Sequence, residues 1–169
     1  MKFRNAIHAG AVALVVSGCI VGCAARPLPT DASLRSRFER HRSEFDSLAT
    51  IARADSQLVG AGHEPTGFDV FVRDTSAYHH RLTDDETRAT GRLALSRLLE
   101  RAGVPSIARA ADGASIRFVV AVSGGLRKGI VCSDQPLEPV RASLDGPEPG
   151  GAGYVPLAPR WFLFVELAD

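Results

Sequence analysis

Apolar and polar positions along the chain fall into three regimes. Residues 6–16 form an apolar run, broken only by His8. From Leu34 the pattern becomes helical: Leu34, Phe38, His41, Phe45, Leu48 and Ala52 follow one another at spacings of 4, 3, 4, 3 and 4, one face of a helix running from Thr30 or Asp31 to about Asp55. Residues 56–67 hold three glycines and a proline, which reads as a loop, and Phe68 to Arg73 (FDVFVR) reads as a short strand. Thr83-Asp84-Asp85-Glu86 is a capping box opening a second helix, with its acids at the positive end of the helix dipole. Leu95, Leu98, Leu99 and Ala102 supply its apolar face, Gly103 its C-cap, and Pro105 stops it from resuming. Beyond that point the period is two. Ile107 to Ala111 and Ser115 to Val122 flank Asp112-Gly113 as a hairpin. Ser123-Gly124-Gly125 turns the chain into a strand from Arg127 to Ser133. Arg160 to Ala168 (RWFLFVELA) has the continuous apolar character of a covered strand. The expected fold is α+β: two helices packed on an antiparallel sheet of about four strands, joined as a meander.

The N-terminal run changes the picture from a fold to an address. Lys2 and Arg4 precede an eleven-residue apolar core, the layout of a signal peptide. Val16-Ser17-Gly18-Cys19 then matches the bacterial lipobox, and Ile20-Val21-Gly22-Cys23 matches it again. Bacterial lipoproteins, which this end resembles, are cut before such a cysteine after its sulfur has received a diacylglyceryl group. Cys19 is favoured over Cys23, because serine suits the position two before the cysteine better than valine, and because of the length of the apolar core. The organisation expected is a signal peptide at 1–18, a tether at 19–30 and a single domain at 31–169. Acyl chains (palmitate or its like) then anchor the chain at roughly 0.8 kcal/mol per buried methylene. Neither cysteine is followed by aspartate, the common inner-membrane retention signal. The outer membrane, periplasmic face, is therefore expected ahead of the inner membrane. A cut at Cys19 leaves Cys23 and Cys132 available to pair in that oxidising compartment, while the apolar setting Ile130-Val131-Cys132 suits a buried, inert thiol.

Composition narrows the partners. The net charge is +1, and removal of Lys2 and Arg4 with the signal peptide leaves about −1, so no global field favours nucleic acid. Eighteen of the twenty basic residues are arginine, but they are spread along the chain rather than clustered.

Reactive side chains are sparse. His79-His80 with Asp84-Asp85-Glu86 is the densest group, yet neighbouring histidines on a strand diverge and the acids already cap a helix; no metal site is expected. His63-Glu64 and the lone His41 lack converging partners. Ser123 in AVSGG has alanine where a nucleophile elbow needs glycine. Gly124-Gly125 with Arg127 and Lys128 has the elements of an anion cradle, without the helix that usually completes one. No catalytic residue, metal or cofactor is expected. The longest connection, residues 134–159, contains six prolines and four glycines and exceeds an ordinary loop. Its Leu137, Val140, Leu144 and Tyr154 are the candidate binding loop, either docking a partner or packing over the sheet edge.

From about Leu82 onward, LTDDETRATGRLALSRLLERAGV, the aspartate-glycine hairpin, RKGIVCS, SLDG within the proline-rich loop and YVPLAPRWFLFVEL together resemble a family of uncharacterised Gram-negative lipoproteins. Where that family favours tyrosines after Lys-Gly, this chain carries Ile130 and Cys132. The resemblance implies fold and location and brings no activity. The expected function is a non-enzymatic, lipid-anchored periplasmic module that binds an envelope protein or component. The alternatives are a small envelope hydrolase using His63, His79 or His80, and a passive structural component.

Overall fold

The computed structural model describes residues 27–64, 67–73, 79–90, 92–110, 113–145 and 152–168. The helices are Asp31–Arg40 (α1), Arg42–Ala54 (α2), Asp84–Ala89 (α3) and Leu93–Ala102 (α4). The strands are Leu58–Glu64 (β1), Gly67–Arg73 (β2), His79–Arg81 (β3), Ser106–Arg109 (β4), Ser115–Ser123 (β5), Leu126–Ser133 (β6), Gly153–Ala158 (β7) and Trp161–Leu167 (β8). They form one eight-stranded antiparallel sheet in the order β3-β2-β1-β4-β5-β6-β8-β7.

Two helices on about four strands therefore understates the architecture on both counts. Each expected helix is two. The first breaks at His41 (φ −119°, ψ 30°), and this lets both Phe38 and Phe45 reach Trp161, with ring centroids 5.1 and 6.0 Å away. The second is divided after Ala89, where Thr90 folds its hydroxyl back onto the Glu86 carbonyl at 2.7 Å. The sheet gains β1, β3 and β7. The glycines of β1 had marked it as a loop, but they answer a close backbone approach. A Cβ on Gly60 would stand 2.9 Å from the Ile107 carbonyl oxygen, and one on Gly62 2.7 Å from Ser106 Cβ.

One face of the sheet carries the helices. Leu34, Phe38, Phe45, Leu48, Leu95 and Leu99 bury themselves against Val70, Ile107, Ile116, Phe118, Ile130, Trp161 and Leu163. Strand alternation sends the intervening residues to the other face. There Val119, Val131, Tyr154 and Phe164 make a second, smaller cluster at the β5–β8 end, joined by Leu137 and Phe162. The capping box at Thr83 forms as expected, with the Thr83 amide donating to Glu86 Oε2 at 2.8 Å. Gly103 takes the left-handed conformation at the end of α4 (φ 63°), which glycine adopts without the Cβ penalty.

Candidate functional site

Three places in the fold concentrate chemistry or exposed apolar surface: a buried ionic knot, the second face of the sheet, and the long loop.

The knot joins the first helix, β6 and the middle of the long loop. Lys128 is 2% exposed. Its ammonium donates to Asp145 Oδ1 at 2.7 Å and stands 2.9 Å from Asp31 Oδ1. Asp31 Oδ2 accepts from the Leu144 amide at 2.7 Å and from Ser143 Oγ at 2.9 Å, while the Asp31 amide donates to Asp145 Oδ1 at 2.9 Å. Burial pushes the Asp31 carboxyl up, but the Leu144 amide, Lys128 and Ser143 outweigh it and hold the group below its ordinary range. The lysine of RKGIVCS and the aspartate of SLDG thus belong to one structure. Gly129, next to Lys128, answers the sheet instead: a Cβ there would run into the Phe118 carbonyl oxygen of β5. Asp31 Oδ1 has only the ion-pair contact with Lys128, 2.9 Å away, and no hydrogen bond; with its remaining groups tied to one another across three segments, the knot is a clasp rather than a reaction centre.

The second face of the sheet divides in two. Towards β5, β6 and β8 it is occupied by the small apolar cluster and by Glu166, which takes Arg117 at 2.9 Å and Arg127 at 2.7 Å. Towards β2, β1 and β4 it opens into a mainly apolar hollow of about 250 Å³. Gly60, Gly62 and Ala108 form the floor, and Phe71, 40% exposed, forms a wall. Asp69, buried to 6% exposure, sits at the rim and is held by Arg81 at 2.6 Å. The signals for this site were faint: two glycines that read as a loop, and Phe71 at an out-facing strand position.

The long loop lies along the sheet edge. Leu137 packs in the second-face cluster, and Leu144 packs against the main core. Between them the Arg141 amide donates to the Tyr154 carbonyl at 2.8 Å, and the Tyr154 amide donates to the Pro139 carbonyl at 3.0 Å. Tyr154 itself is a buried residue of β7, and Val140 is exposed at 57%.

The other candidates are scattered. Cys19 and Cys23 lie outside the described residues. Cys132 is a free, buried thiol whose Sγ accepts from Arg53 Nη2 at 3.0 Å; burial pushes its pKa up, against the pull of Arg53. His41 occupies the junction of α1 and α2. His63 Nε2 lies 3.4 Å from the Ser96 carbonyl, and its ring packs at 5.1 Å on Phe68. His79 and His80 are consecutive positions of β3, in register with Arg73 and Val72. Glu86 is engaged in its capping box. Ser123 ends β5 at a two-glycine turn, Gly124 and Gly125 both having positive φ, and Arg127 and Lys128 after it are held by carboxylates. Among the described residues no three His, Cys, Asp or Glu side chains gather as a metal site, and no helix is long and apolar enough to cross a membrane. No protein-family model, curated protein or solved structure matches the chain.

Proposed function

We propose that this protein is a lipid-anchored module of the bacterial envelope, held at the periplasmic face of the outer membrane through Cys19, which binds an envelope protein through the open face of its sheet. The observation that carries the binding reading is the hollow over β1, β2 and β4, where glycine floor, exposed phenylalanine and mainly apolar lining coincide. Apolar surface concentrated in a concave patch with a polar rim favours a protein partner that inserts an aliphatic or aromatic side chain. The Asp69–Arg81 pair at the rim offers charged hydrogen-bonding groups to the partner's backbone. The long loop takes a supporting part, because it covers the edge strand β7 and braces both clusters. The lipobox at Cys19 and the resemblance to Gram-negative lipoproteins support the address.

The test compares affinity purification of the tagged protein after in-cell crosslinking with that of Ala108→Leu, which fills the hollow from its floor, and Phe71→Glu. A partner retained in near-equal amount by the native chain and lost from both variants, at unchanged melting temperature, is the expected result. A partner retained by both variants contradicts the open-face site.

A further inference from the structure

We propose that the cleft between α1 and the C-terminal end of α4 is a binding site for a phosphate-bearing anion. This cleft has a volume of about 440 Å³ and is lined by Ser33, Ser36, Arg37, Arg40, His41 and Gly103. Positions 33, 36, 37 and 40 fall on one face of α1 by helical spacing, so the hydroxyls and guanidiniums present themselves together.

The charge is arranged to remain available. Arg37 is fixed by donating to the Gly103 carbonyl, which positions the guanidinium against a helix end that carries only partial negative charge. Arg40 Nη2 meets a hydroxyl, Ser36 Oγ, at 3.3 Å. No carboxylate lines the cleft among the described residues. Neighbouring arginines differ in this respect: Arg42 stands 3.3 Å from Asp46, Arg53 3.4 Å from Asp134 and Arg92 2.7 Å from Asp55. Glu44, on α2, lies within electrostatic reach of His41 and Arg101. Two guanidiniums, an imidazole and serine hydroxyls are the donors that recognise phosphate, arginine supplying the forked geometry. Arg40 is also half free of the fold: it is exposed, and its loss removes no packing from the core.

The phosphate can come from a lipid headgroup or from a free phosphate ester. The headgroup source rests on the anchored reading above, since α1 then begins only twelve residues after Cys19, a reach of about 40 Å fully extended; the free-phosphate source does not.

The test uses the full chain in phosphatidylcholine nanodiscs, with the side-chain Nε–H signals of Arg37 and Arg40 followed by NMR during titration with inorganic phosphate, and with chloride at matched ionic strength as the control. A saturable shift specific to phosphate, weakened at least about tenfold in Arg40→Gln at unchanged melting temperature, is expected. The same shift produced by nanodiscs containing phosphatidylglycerol, without added phosphate, identifies the headgroup as source. Its absence there, with the phosphate response intact, identifies a free phosphate ester and leaves the cleft assignment standing. No saturable response to either probe, or a response identical in Arg40→Gln, overturns the proposal. Neither outcome bears on partner capture at Phe71.

Discussion

Lys128 is buried to 2% exposure with the carboxylates of Asp31 and Asp145 both facing its ammonium. A buried ion pair adds little over an apolar replacement, but removing one partner strands the other. Lys128→Ala is expected to cost about 3–5 kcal/mol in urea unfolding, and Lys128→Met less, because methionine refills the space. The Asp31 carboxyl sits below its ordinary value in the folded chain. Its contribution is therefore fully present above the unfolded-state pKa and is lost as pH falls through the folded one. In Asp31→Asn the acid limb of the stability profile, below about pH 4, is expected to flatten; an unchanged limb would show that other carboxylates control it. Cys132, with its pKa raised by burial, is expected to react with thiol reagents at neutral pH only at the rate of local opening, measured by reagent uptake under native conditions and in denaturant. The residues of this clasp were visible as motifs, RKG and SLDG, but their meeting was not. Lys128 reads only as part of an incomplete anion cradle with Gly124-Gly125, and it is the packing of α1 on β6 that brings Asp31 beside it.

Elements were legible where local chemistry alone decides them. The capping box at Thr83 and the left-handed cap at Gly103 formed where the sequence put them, and Thr83→Ala is expected to lower stability by about 1 kcal/mol in thermal or urea unfolding. The β5–β6 hairpin and its glycine turn were equally local. Elements went unread where a distant neighbour decides them. The glycines of β1 are there because β4 comes close, and β7, in a proline-rich stretch, is set by its ladder with β8, with the loop from Pro139 to Arg141 bridging its other side. The break at His41 likewise has no local breaker such as proline; Phe38 and Phe45 on either side of it both pack on Trp161.

On the scale of the whole molecule, the helices cover one face of the sheet, and the other is covered at its β5–β8 end and concave at the β1, β2 and β4 end. The candidate surface could not be read from sequence, because it depends on which strands lie side by side and which face the helices leave bare. The address has its own test: incorporation of labelled fatty acid is expected to be lost in Cys19→Ala and kept in Cys23→Ala. The converse would move the anchor to Cys23, and labelling of both single variants but not the double would make the two interchangeable. The central claim, an anchored module that binds through the open face, is tested most directly by in-cell photocrosslinking from position 71, with position 50 on the exposed side of α2 as reference. The account predicts one dominant adduct from position 71 that is absent from position 50 and abolished by Ala108→Leu. Adducts that are the same from both positions, or that persist when the hollow is filled, would contradict it.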